Sequence, residues 1–187
     1  MKTITYKTFG ILLALALLMF VTRFKHFGSS VTLPDASLAV FFLGGLYLSR
    51  LKVARWLLLA LLLEAASIDY WATTQMGVSD WCITPAYPFL ALAYFALWAT
   101  GDYLAQRRHN SVNILAASGI ASALAFLISN ASFYLFSGRY ANMSAFEYSS
   151  RVMQYLPSYI AVALLYVTAA LVLHAVLALR NRRSWLT

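Results

Sequence analysis

Cysteine is all but absent from this chain. The one present, Cys82, excludes an intramolecular disulfide, a CxxC redox pair and a zinc cluster built from a single chain. Charge is scarce as well: 11% of the residues are charged and 62% hydrophobic, a balance that a soluble domain could not keep in solution. No internal repeat, low-complexity tract or linker is present. Nor is there a Walker, Rossmann or EF-hand pattern, so any ATP-hydrolysing part must belong to another chain. Acidic residues number six against fourteen basic ones, for a formal charge of +8. The basic residues gather at alternate connectors rather than on one face or tail, which argues against nucleic acid and reads as a membrane-topology signal.

What the chain does have is long apolar runs. Its 187 residues have room for roughly six spanning helices of about 20 residues with short connectors. The expected fold is all-α: a polytopic membrane protein with one transmembrane domain over 1–187. The runs predict helices over Ile4–Thr22, Leu33–Ser49, Val53–Ile68, Ala86–Leu104, Asn113–Phe136 and Arg151–Leu179. The first run is short and follows Lys2 and Lys7, as a signal peptide would, but Arg23, Phe24, Lys25 and His26 follow it in place of a small-residue cleavage site, so it is read as the first helix. Ten basic residues fall at one side (Lys2, Lys7, Arg50, Lys52, Arg55, Arg107, Arg108, Arg180, Arg182, Arg183) and four at the other (Arg23, Lys25, Arg139, Arg151). The positive-inside rule then makes both termini cytoplasmic and turns the Arg23–Pro34, Asp69–Tyr87 and Ser137–Ser150 connectors outward.

The Asp69–Tyr87 stretch is the least lipid-like part of the chain. It combines carboxylates (Asp69, Asp80), aromatic faces (Tyr70, Trp71, Trp81, Tyr87) and one soft sulfur donor, Cys82. A thiolate suits transition metals and is also the best side-chain nucleophile near neutral pH, although most free cysteines simply pack as small apolar groups. His26 lies in the first outward connector and can ligate, hydrogen-bond or titrate. Asp69 and Arg151 are expected at the same outer level, free to pair with each other or with a ligand. Arg151, Tyr155 and Tyr159, at four-residue spacing, would share one helix face as a polar and aromatic wall. Tyr87, Tyr94 and Trp98 form a similar stripe on the fourth helix, a pattern more often packing or interfacial belt than ligand site. Glu64 is an intramembrane acid with Ser67 one turn away. Small residues recur at Ala117, Ala121 and Ala125 and at Gly10 and Ala14, a spacing that lets helices approach closely.

His26, Asp69, Cys82, Tyr87 and Arg151, in a short six-helix protein with basic inner connectors, resemble the BtuM family, the cobalamin-specific S-components of energy-coupling-factor (ECF) transporters. The most specific part is the lone outer-loop cysteine in Trp81-Cys82-Ile83-Thr84-Pro85. The resemblance implies an ECF S-component-like bundle in the bacterial inner membrane that binds cobalamin in an outward pocket. Cys82 would be the cobalt ligand, and His26, Asp69, Tyr87 and Arg151 would line the pocket. It also implies decyanation of cyanocobalamin, with Cys82 as the catalytic residue, and an ECF energising module that some members do without. The usual AxxxA docking pattern of helix one is present only as Gly10-x-x-x-Ala14, which weakens the case for tight coupling to that module.

The side chains agree with such a ligand, since a corrin offers a large face to aromatic rings and an amide rim to hydrogen-bonding groups. Three other readings compete. An S-component for a metal-free vitamin would leave Cys82 incidental. A membrane enzyme would use Cys82 and His26 as nucleophile and base. A structural subunit would bind no small ligand.

Overall fold

The structure, a computed structural model, describes residues 5–23, 33–77, 79–107 and 109–183. Regular structure among them is helical throughout: α1 (Tyr6–Arg23), α2 (Ser37–Leu48), α3 (Ala54–Gln75), α4 (Phe89–Ala105), α5 (Ser111–Phe136), α6 (Ala145–Met153) and α7 (Leu156–Arg183). Four of these, α1, α3, α5 and α7, are long and apolar enough to cross a membrane. The chain is therefore an all-α membrane protein. With 12 residues α2 is about 18 Å long and with 17 residues α4 is about 26 Å, both short of a hydrocarbon layer of about 30 Å.

The two shorter helices are the centre of the bundle. Nine of the twelve residues of α2 are buried, including Phe41, Phe42 and Leu43 on successive sides, so this helix is apolar all round because protein surrounds it. It packs most extensively on α4, which in turn packs on α5, and α5 on α7; α1 and α3 cover the other side of α2. The α2–α4 contact is a backbone contact. A Cβ on Gly45 would land on the Trp98 carbonyl, and one on Gly101 would land on the Phe42 carbonyl. Only glycine permits this approach, and it clamps Trp98 against Gly44. In α5 the small residues Ala121 and Ala125 are buried in the same core, whereas Gly10 of α1 faces open space.

Successive long helices reverse direction, which brings the C-terminal ends of α1, α3 and α5 together with the N-terminal ends of α2, α4 and α7. Local signals set several of these ends. Asn110 caps α5 by accepting from the Asn113 N–H at 2.8 Å, and Ser144 caps α6 by accepting from Glu147 at 3.2 Å, in the Ser-x-x-Glu order of a capping box. Gly77 and Gly138, at φ +65° and +71°, stop α3 and α5 in the left-handed conformation that other residues avoid. At the start of α2 the Ala36 N–H is taken by Thr22 Oγ1 of α1 at 3.1 Å.

Two expected boundaries are wrong. The third helix does not end at Ile68; it runs to Gln75, so Asp69, Tyr70 and Trp71 are helical. Asp69 is polar within the helix because neighbours meet it, and Tyr70 and Trp71 are exposed on the helix surface. The expected helix over Arg151–Leu179 is two helices, α6 and α7, with a turn at Gln154 and Tyr155. Pro157 explains the break, because it has no N–H to give the Met153 carbonyl and is suited to the first turn of a new helix, which starts at Leu156. Arg151 and Tyr159 consequently do not share one continuous helix face.

Gly45→Ala and Gly101→Ala should each destabilise the bundle by at least the ~1–3 kcal/mol typical of core overpacking. Gly10→Ala should have no such effect. Thermal unfolding in detergent checks this, and a wild-type midpoint for Gly45→Ala would contradict the close α2–α4 contact.

Candidate functional site

At the end of the bundle where α1 and α3 finish, a buried arginine organises five segments. Arg23, 6% exposed, ends α1 and grips Asp69 of α3 with a two-pronged fork: Nε donates to Oδ1 at 2.7 Å and Nη2 to Oδ2 at 2.6 Å. Its Nη1 donates to Ser37 Oγ at 2.8 Å and to the Tyr94 hydroxyl at 2.6 Å, which ties in α2 and α4. Asp35 stands 3.8 Å from Nη1 and accepts from the Ser37 hydroxyl at 2.6 Å. Tyr87 completes the group by donating to Asp69 Oδ2 at 2.7 Å. A charge so deeply buried is tolerated only because its donors are met, and the planar guanidinium is suited to this paired geometry.

Arg23, Asp35, Asp69, Tyr87 and Tyr94 of this network form the floor of a cavity of about 350 Å³, which Ser37 does not line. Aromatic side chains make its walls. Phe126 of α5 meets Tyr159 of α7 edge to face at 5.1 Å; beyond them Tyr140 contacts Phe133 at 5.9 Å and Tyr148 at 4.7 Å. The Tyr148 hydroxyl donates to the Asn130 carbonyl at 3.1 Å, which holds α6 over α5. Cys82, exposed, and Trp81 line the cavity from the α3–α4 connector. Arg139, from the connector after α5, lies 4.4 Å over the Trp81 ring, so a cation–π contact bridges the two connectors.

Of the residues expected at a site, Asp69, Cys82, Tyr87 and Tyr155 line this one cavity. Arg151 does not. It lies exposed on α6, with Nη2 2.7 Å from Glu147 Oε1, one turn away. The expected Asp69–Arg151 pair is therefore not formed, and the partner of Asp69 is Arg23. His26 lies outside the described residues. His174 stacks on Tyr47 at 5.8 Å and His109 packs near Tyr103 at 6.5 Å; neither lines the cavity, and neither does Glu64.

Several cavity residues escaped the sequence reading. Arg23 was counted only as a connector charge. Its signal was an arginine closing an apolar run, level with the aspartate near the end of α3. Phe126, Ser129, Asn130 and Phe133 recur at helical spacing and all line the cavity, a pattern legible in the sequence. Tyr140 and Tyr148 both fell in the expected Ser137–Ser150 connector, within which α6 starts at Ala145.

Although Cys82 is exposed at the cavity edge, the protein around it partly desolvates the thiol and pushes it above its ordinary range, and the Asp69 charge pushes it further the same way. Tyr87 is likewise raised, by burial and then by its hydrogen bond to Asp69, so it stays a proton donor. Cys82 at neutral pH is a thiol that gives up its proton only to a strong partner. Scanned against protein-family models and against curated proteins, the chain matches none.

Alkylation of Cys82 by a maleimide should be slow at pH 7 and rise with pH through a midpoint above that of a free thiol. Asp69→Asn removes the negative charge and should move the profile to lower pH. An unshifted profile would remove Asp69 from the electrostatics of the thiol.

Proposed function

We propose that the chain is an S-component-like protein of the bacterial inner membrane that captures cobalamin from the outer side and mediates its uptake, with the Cys82 sulfur as cobalt ligand. The observation that carries the reading is the meeting of one soft donor, an aromatic-walled cavity and a polar floor at a single end of the bundle. Six crossings follow if α2 and α4 complete the alternation begun by the four long helices, with α2 shielded from lipid by its neighbours. The basic residues then put the cavity end outside and both termini inside. Any energising module is a separate set of chains, and Gly10 leaves one stretch of α1 open to such a subunit or to lipid.

The raised thiol supports ligation over nucleophilic catalysis. A covalent nucleophile needs a lowered thiol or an adjacent base, whereas a metal displaces the proton itself as it binds. In cyanocobalamin this is a ligand exchange. The cobalt–carbon bond to cyanide breaks, a cobalt–sulfur bond forms, and the thiol proton leaves with cyanide as HCN. The corrin is larger than the cavity, so the floor and walls would receive an edge of the ring while the rest lies in the mouth beside Cys82.

The cavity volume favours one other reading. About 350 Å³ is near the lower end for small-molecule sites, roughly 300–1,000 Å³, and matches a smaller metal-free vitamin without rearrangement. The two readings differ in what Cys82 does.

Purified wild type incubated with cyanocobalamin should retain a corrin whose visible spectrum departs from that of the free vitamin and should release cyanide. Cys82→Ala should keep its fold, release no cyanide and lose the spectral change. Retention of colour with identical spectra in both proteins would demote Cys82 to packing, and no colour in either would favour the smaller ligand.

A further inference from the structure

Tyr94 is a floor residue whose own proton meets no acceptor among the described residues. It lies two turns into the bundle from Tyr87, is 5% exposed and lines the cavity. Its ring is fixed face to face on Phe41, with centroids 4.2 Å apart and planes 8° from parallel. Its hydroxyl oxygen accepts from Arg23 Nη1 at 2.6 Å, so the O–H must point away from the guanidinium. Among the described residues no hydrogen-bond acceptor takes that proton. Asp69 is occupied by the Arg23 fork and Tyr87, and the Oδ1 of Asp35 by Ser37. The other cavity phenols with a clear donor role, Tyr87 and Tyr148, are spent on Asp69 and Asn130.

A buried donor without an acceptor costs about 1–3 kcal/mol, and proteins seldom leave one unmet. We propose that Tyr94 is a ligand-binding residue: its phenol donates to an oxygen acceptor of the bound molecule at the cavity floor, with Arg23 as the residue that positions it. The cation behind the hydroxyl polarises it as a donor and disfavours an ammonium group at the same spot. The class of group selected is a carbonyl or carboxylate oxygen. This rests on the cobalamin reading for the identity of that group, which is then a side-chain amide carbonyl on the corrin rim.

The test is a titration of the full-length protein in detergent with cyanocobalamin, using wild type, Tyr94→Phe and Ser37→Ala. Tyr94→Phe keeps the ring and its stack on Phe41; Ser37→Ala removes the other acceptor on Arg23 Nη1 and leaves the phenol in place. Each variant takes one acceptor from the buried Arg23 Nη1 and should melt lower; at a temperature where both are folded, Tyr94→Phe should bind on the order of tenfold to a hundredfold more weakly, while Ser37→Ala binds as wild type. Wild-type affinity in Tyr94→Phe overturns the proposal alone. Equal weakening in Ser37→Ala also overturns it, because the effect would then run through Arg23 placement. If wild type binds no cobalamin, the cobalamin reading fails and this assignment falls with it. Should Tyr94→Phe not fold, 3-fluorotyrosine at position 94, a stronger donor on the same ring, must tighten binding, and unchanged affinity overturns the proposal.

Discussion

The fork from Arg23 to Asp69 is the interaction on which the rest of the cavity end depends. It joins the ends of α1 and α3, and through Ser37, Tyr87 and Tyr94 it sets the start of α2, the connector before α4 and α4 itself. Removing one partner of a pair this buried costs about 3–5 kcal/mol, because the charge left behind has no water to solvate it. In a membrane bundle that penalty is also a positional constraint. Apolar helices can slide against one another in lipid at little cost, and a hydrogen-bonded charge fixes their relative height.

The Gly45 and Gly101 contact performs a different task from the fork. It brings α2 and α4 to backbone distance, so the two short helices form a tight central pair around which the long ones are arranged. The polar cluster sits above this pair, with Tyr94 linking the two: its ring stacks within the core on Phe41, and its hydroxyl meets Arg23. A hydrogen-bonded floor with connectors above it is a natural division for a binding site. The floor holds its donors in place, and the connectors bearing Cys82, Trp81 and Arg139 form the mouth.

Much of the helical layout was legible in the apolar runs, because in lipid the backbone must satisfy itself within the helix and composition reports this directly. The sequence placed Asp69, Cys82, Tyr87 and Tyr155 only at a common membrane face; that they line one cavity is read from the structure. What composition could not supply was pairing. Asp69 offered two arginines of similar expected height, Arg151 and Arg23, and only the extension of α3 to Gln75 and the break at Pro157 decide between them. Polarity was taken as the end of a helix at Asp69, and hydrophobicity as its continuation through Leu156. The second error arises because Pro157 withholds an N–H, which hydrophobicity does not report, and the first because a polar side chain met by a partner can sit within a helix. The fit of Tyr94 between packing and polar roles has the same origin, since one residue carries both a core ring and a cavity hydroxyl.

The central claim is a bond between the Cys82 sulfur and the cobalt of a bound corrin, and cobalt-edge X-ray absorption on the purified complex reads it most directly. The account predicts a sulfur scatterer in the first coordination shell of cobalt in the wild type that is missing when Cys82 is replaced by alanine. A first shell of nitrogen and carbon or oxygen alone, the same in both proteins, would contradict it.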